Sequence, residues 1–186
     1  YGTRVDKLTP TAYVADNDLA LGMLVEAVTK SKFWKETAIF VVEDDAQNGP
    51  DHVDAHRTVA LVISPYTKRR HVDSTMYSTA SMLRTMGLIL GLRPMSQFDA
   101  AARPMYASFQ AKPDFSGYEH VVPQVDMKEK NKKTAWGSDL SEKFNLAVED
   151  AADDLLFNEV IWRSVKGPDS PMPPPVRAAF FVPRVK

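Results

Sequence analysis

The sequence predicts an α/β fold in which helices flank a mostly parallel sheet. Two short apolar runs, residues 38–42 and 59–63, are rich in β-branched side chains and are bounded by turn signals. Such runs are typical of strands that are buried on both faces. A helical pattern of apolar residues precedes the first run, and another follows the second, as expected when strands alternate with helices. The chain has 186 residues, enough for one domain with a real core, so we expect residues 1–186 to form a single domain.

The first helix is expected to begin near Asp16, Asn17 and Asp18, which are residue types that cap helix N-termini. Apolar residues then recur at helical spacing up to Lys30. Asp16 and Asp18 are therefore interpreted as caps at the positive end of the helix dipole rather than as catalytic groups.

The second helix is expected to follow the second strand. Asp73 or Ser74 can cap its N-terminus, apolar residues continue to Leu90, and Gly91 is expected to end it. His71 lies in the basic turn before this helix and is interpreted as a solvated residue rather than a metal ligand.

The C-terminal half has fewer regular apolar patterns than the N-terminal half. We expect one short helix within residues 99–109, an irregular stretch over 112–136, and one or two helices within 138–166, ended by Gly167 and Pro168. Because a long irregular segment does not easily form its own core, this half is expected to wrap over the sheet.

Composition limits the functions that can be expected of this chain. A net charge of −1 gives no overall attraction to nucleic acid or to an anionic membrane. No apolar run approaches the length of a transmembrane span. The absence of cysteine excludes disulfides, thiolate metal ligands and a cysteine nucleophile.

The segment between the two predicted strands concentrates carboxylates and imidazoles. Ligands of open α/β sheets bind at the carboxyl ends of strands, and mixed oxygen and imidazole donors suit zinc, manganese, magnesium or iron. The spacing fits no single compact metal motif, so a solvated acidic loop remains the alternative. The residues concerned are Glu43, Asp44, Asp45, Asp51, His52, Asp54 and His56.

Two short sequences in this segment resemble the alkaline phosphatase superfamily of metal-dependent phosphoesterases, with cofactor-independent phosphoglycerate mutase as a close parallel. They are Glu-Asp-Asp at residues 43–45 and Ala-His-Arg at residues 55–57. The resemblance implies that Asp44, Asp45 and His56 bind divalent metal ions. Asp45 replaces a histidine of the mutase pattern, as in the acid phosphatase and phospholipase C branch. The ion could therefore be zinc, manganese, magnesium, calcium or iron.

A closer resemblance covers nearly the whole chain. Residues 9–22, 40–57 and 74–84 look like a bacterial phosphoesterase family whose members often carry a β-propeller before this region, and residues 150–162 are similar to the end of that family. The resemblance implies the C-terminal part of an alkaline-phosphatase-like sandwich and a periplasmic or secreted location. The superfamily's earlier half, which holds a first Asp ligand and a Ser or Thr nucleophile, is not found in this sequence. We therefore expect a partner in the missing N-terminal half of the domain, and no hydrolysis by this chain alone.

The activity implied by the resemblance is two-step hydrolysis of a phosphate ester. His52 could be a ligand, a proton donor to the leaving group or a loop residue, and Arg57 could face phosphate oxygens or pair with a nearby acid. Asp51 or Asp54 could accept a hydrogen bond from the second nitrogen of His56. The alternative is a non-catalytic binding or structural module whose acidic loop holds at most one calcium ion.

Overall fold

The computed structural model of the chain describes residues 1–43, 58–148 and 151–173. These residues form two compact units. Unit 1 contains Tyr1–Glu26 and the described residues from Glu119 onward, and unit 2 contains Ala27–Glu43 and Thr58–Tyr118. The single domain over residues 1–186 stays a prediction.

Helix α1 spans Pro10–Thr29 and begins earlier than its sequence pattern indicated. The Thr9 hydroxyl accepts a hydrogen bond from the Ala12 amide over 3.1 Å, and the proline that follows Thr9 suits the first position of a helix. The prediction that Asp16 and Asp18 cap this helix was wrong, because both are exposed residues of its interior. The C-terminal end falls within one residue of the predicted position.

Strands β1, Ile39–Val42, and β2, Ala60–Ile63, confirm the two predicted strands. They pair antiparallel, with Phe40 opposite Val62. Their residues are half-buried or exposed rather than buried on both faces, because the described residues contribute only these two strands to the sheet. A mostly parallel sandwich needs further strands and stays a prediction.

Helix α2 spans Thr79–Ile89 and is capped by Ser78. The Ser78 and Ser81 side chains each bond the other residue's backbone amide, a reciprocal arrangement that stabilises a helix start. The prediction of a cap at Asp73 or Ser74 was therefore wrong by about one helical turn. The predicted C-terminal end is confirmed, and Gly91 adopts a left-handed φ of 68° just beyond it.

Two short elements replace the single helix predicted within residues 99–109. Helix α3 spans Gln97–Ala101, and a 3₁₀ turn spans Tyr106–Ser108. Pro104 separates them, because its ring cannot continue a helix and it restricts the residue before it.

Helices α4, Ser138–Ser141, and α5, Asp154–Lys166, confirm that residues 138–166 hold two helices. The predicted stop is also confirmed, since Gly167 follows α5 directly with a φ of 103°. Lys130 forms an isolated antiparallel bridge with Leu8, which orders part of the stretch predicted to be irregular.

Each unit has its own small core. In unit 1, Val160 of α5 is fully buried, and the rings of Phe144 and Phe157 meet edge to face with centroids 5.3 Å apart. In unit 2, the buried apolar side chains include those of Trp34, Pro65, Met82 and Met105.

Candidate metal site

The hairpin brings the two ends of the acidic segment together. The Glu43 amide donates to the carbonyl of Val59 over 3.0 Å, and the Thr58 hydroxyl donates to the carbonyl of Glu43 over 3.1 Å. Residues 43 and 58 are thus joined side by side at one end of the sheet. Residues 44–57 connect these two positions in the sequence.

The predicted ligands lie outside the described residues. This applies to the three metal ligands inferred from the resemblance and to the auxiliary residues beside them, so their mutual distances stay predictions. Glu43 belongs to the same acidic stretch and is exposed. The undescribed candidates are Asp44, Asp45, Asp51, His52, Asp54, His56 and Arg57.

Within residues 1–43, 58–148 and 151–173, no three His, Asp or Glu side chains gather as they would around a metal ion. His71 is exposed, as predicted for a solvated turn residue. The described parts of the chain therefore offer no competing metal site to the acidic segment.

Asp73 has a different role from the helix cap that the sequence suggested. One carboxylate oxygen accepts the Thr75 amide over 3.0 Å. The other accepts the hydroxyls of Tyr77 and Ser108 over 3.1 and 2.9 Å. Hydrogen bonds from Thr75, followed by those from the two hydroxyls, lower the pKa of Asp73 far below its usual value. Asp73 therefore ties the segment before α2 to the 3₁₀ turn, a structural role.

The same cluster perturbs Tyr77. Burial is the main cause that raises the pKa of Tyr77, and the hydrogen bond to Asp73 adds to it. The phenol therefore stays protonated at neutral pH and acts as a donor. The sequence contained no signal for this cluster, because Ser108 lies far along the chain from Asp73.

His120 was missed by the sequence reasoning and meets Glu26 of α1. Its ring Nδ1 is in contact with a Glu26 carboxylate oxygen, which also accepts the His120 amide over 3.0 Å. The pair fixes the chain after Tyr118 along the helix. One imidazole and one carboxylate are too few ligands for a structural metal ion.

A small apolar pocket lies between the sheet and α2 in unit 2. Its walls are hydrocarbon and thioether apart from one threonine, so it offers almost no polar groups for a phosphate. The lining residues are Phe40, Val42, Thr79, Met82, Leu83 and Met86.

Comparison with the models of known protein families and with curated proteins gives no match to this sequence. Among the described residues, none of the helices combines the length and the apolar character that crossing a bilayer requires.

Proposed function

We propose that this chain is the metal-binding half of a phosphoric ester hydrolase, with Asp44, Asp45 and His56 as the metal ligands. The proposal starts from the resemblance of residues 40–57 to the alkaline phosphatase superfamily. Its support in the structure is the joined base of the hairpin, from which this segment extends.

Covalent geometry limits how far the proposed ligands can separate. The Cα atom of Asp44 is about 3.8 Å from that of Glu43, and the Cα atom of His56 is within about 7 Å of that of Thr58. Glu43 and Thr58 are joined by a hydrogen bond. Both ends of the proposed ligand set are therefore attached to the same end of the sheet, which is the arrangement that a shared ion requires.

The donor set suits a divalent cation. Two carboxylates supply hard oxygen ligands and negative charge, and a neutral imidazole supplies a nitrogen ligand. A bound divalent ion would polarise the phosphate ester and activate the attacking group. Asp51 or Asp54 would orient the ring of His56 by accepting its second N–H.

The remaining polar residues of the segment have proposed auxiliary roles. Arg57 would hold phosphate oxygens through its guanidinium fork. His52 would donate a proton to the departing alkoxide. The nucleophile is proposed to lie in the N-terminal half of the domain, and we propose a periplasmic or secreted location by the same resemblance.

The first experiment measures metal binding by this chain. We expect Mn²⁺ to bind, as followed by the loss of the free-ion electron paramagnetic resonance signal, and His56→Ala to weaken binding by at least about tenfold because a ligand is lost. His71→Ala is the matched control, since this imidazole is exposed and outside the proposed site. Equal binding by both variants would contradict the assigned ligand set.

The second experiment concerns hydrolysis by a longer protein that contains this chain together with the preceding half of the domain. We expect a chelator to abolish its hydrolysis of p-nitrophenyl phosphate and added divalent metal to restore it, and we expect this chain alone to be inactive. Hydrolysis that is unchanged by the chelator would contradict the proposal. Metal binding without any hydrolysis by the longer protein would favour the alternative, a cation-binding module.

A further inference from the structure

Charge is distributed unevenly between the two units. Unit 2 carries ten Lys and Arg residues against five Asp and Glu residues, a net charge of +5, whereas the whole chain has −1. Two of the five acids, Asp73 and Asp99, already accept hydrogen bonds from backbone amides and hydroxyls. Unit 2 therefore carries an excess of basic residues within a chain that is nearly neutral overall, and one of them, Arg69, pairs with Asp114.

Unit 2 also exposes a continuous apolar corner, which we define as residues 88–98. Every residue of the corner is exposed. The largest exposures belong to Met95 at 77%, Phe98 at 73% and Leu90 at 69%. Single exposed apolar residues are ordinary, but a contiguous group marks a surface that binds a protein or a membrane.

Hydrogen bonds donated by backbone amides hold the apolar corner in shape. On one side, the Leu92 amide donates to the Gly87 carbonyl over 2.8 Å and closes the end of α2. On the other, the Asp99 carboxylate accepts the amides of Met95 and Ser96 over 2.9 and 2.7 Å. The corner is thus ordered before it binds anything, so little conformational entropy would be lost on binding.

One arginine lies within the apolar corner and two others lie near it in the sequence. Arg93 lies within it, and Arg84 and Arg103 flank it on α2 and after α3. Arg93 and Arg103 are exposed, and none of the three forms an ion pair with another described residue. Exposed apolar side chains together with basic side chains are the chemistry that binds the interface of an anionic bilayer.

We propose that the apolar corner inserts into the headgroup region of an anionic phospholipid membrane and that unit 2 docks there as a peripheral membrane surface. A membrane fits better than a protein partner because both features that bilayers recognise, apolar side chains and excess positive charge, occur together on this unit. The proposal does not depend on the phosphoesterase activity, and it requires no membrane-spanning helix.

Flotation of the chain with lipid vesicles tests the proposal. We expect binding to vesicles that contain equal amounts of phosphatidylcholine and phosphatidylglycerol, and weaker binding to phosphatidylcholine alone. The double variant Leu90→Ser, Leu92→Ser should reduce binding by at least about tenfold, since two leucines no longer enter the bilayer. Arg93→Gln should reduce binding to the anionic vesicles by about fivefold.

Matched controls use exposed residues of unit 1. Val121→Ser with Val122→Ser changes two residues that are 78% and 69% exposed, and this variant should bind vesicles as the unchanged chain does. Because the protein has no cysteine, a fluorophore on Met95→Cys reports insertion directly, and the same label on Val121→Cys reports the background.

Three results would overturn the proposal. The first is no flotation with anionic vesicles, and the second is an equal fluorescence shift at both labelled positions. The third is a corner that mediates self-association, seen when the leucine variant loses oligomers in sedimentation equilibrium while its flotation is unchanged. Circular dichroism establishes that each variant is folded, which the outward position of the substituted side chains leads us to expect.

Discussion

Replacing Asn131 tests how the first residues of the chain are held in unit 1. Asn131 is 6% exposed, and its side-chain Nδ2 donates to the carbonyls of Gly2, Arg4 and Leu8 over 3.2, 3.1 and 3.0 Å. An amide NH₂ has two hydrogens, so the three carbonyls share two donated bonds. This one side chain therefore anchors three points of the N-terminal segment.

The magnitude follows from the number of bonds lost. Asn131→Ala removes two net hydrogen bonds of about 1 kcal/mol each and leaves a small void, so we expect a loss of about 2–3 kcal/mol in the free energy of unfolding. Asn131→Asp has the same shape but places carboxylate oxygens against three carbonyl oxygens. At neutral pH this substitution should therefore cost more than the alanine substitution.

The aspartate substitution also has a defined pH dependence. Facing carbonyls and largely buried, the introduced carboxyl should have a pKa in the folded state above its unfolded value of about 3.9. The penalty is then absent below about pH 4, grows as the pH rises between the unfolded and folded pKa values, and is constant above the folded pKa. The variant should thus recover stability relative to the unchanged protein on acidification.

Urea unfolding followed by circular dichroism measures these free energies. Hydrogen exchange provides a local measurement, because the amides of Thr9 and Asn131 donate to the Glu129 and Lys7 carbonyls over 2.9 and 2.8 Å and should lose protection in both variants. Asn17→Asp, at an exposed position of α1, is the isosteric control. If Asn131→Asp were as stable as this control at neutral pH, the proposed anchoring of the N-terminal segment by Asn131 would be wrong.

Three further predictions concern other contacts. Gly137→Ala should destabilise unit 1 by about 2–4 kcal/mol, because φ is 73° and the new Cβ would lie 2.7 Å from Val160 Cγ2. In a double-mutant cycle measured by urea unfolding, Val160→Ala should reduce the cost of the Gly137 substitution. Asp73→Asn should weaken the acid dependence of stability: the low folded pKa of Asp73 stabilises the protein above about pH 4, and that contribution is lost as pH falls towards the folded pKa. Acid titrations of thermal unfolding that are identical in the two proteins would contradict this. Thr9→Ala should cost about 1 kcal/mol in urea unfolding through loss of the α1 cap, whereas Thr11→Ala, at an exposed position beside it, should change stability little.

Sequence patterns predicted the strands and the C-terminal ends of the helices better than the N-terminal ends. Gly91 and Gly167 each lie just after a helix and have a positive φ. Because glycine adopts positive φ without steric strain, it indicates the C-terminal end of a helix. Helix starts were harder to predict because several Ser, Thr and Asp residues compete for each cap. Thr9 with its following proline prevailed over Asp16, and Ser78 with its reciprocal partner prevailed over Asp73.

The sequence shows the residue types of the candidate site, whose metal chemistry stays a prediction, but it does not show the contacts formed elsewhere in the described residues. An acidic, histidine-bearing segment between two strands is visible as residue types, and the hairpin pairing adds only that its ends are joined. The Asp73 cluster could not be predicted from the sequence, because Ser108 reaches Asp73 only through the packing of the 3₁₀ turn. The exposure of residues 88–98 could not be predicted either, because apolar residues at the end of a helix are usually buried.

Local propensity and side-chain chemistry were enough to predict both strands, the C-terminal ends of the main helices, the absence of thiol chemistry and the position of the acidic segment. The three-dimensional packing was needed to learn that the two strands pair antiparallel, which of the competing acids and hydroxyls meet, and that the apolar corner of unit 2 is exposed. Strand pairing and burial depend on contacts between residues that are distant in the chain, and no short sequence pattern encodes such contacts.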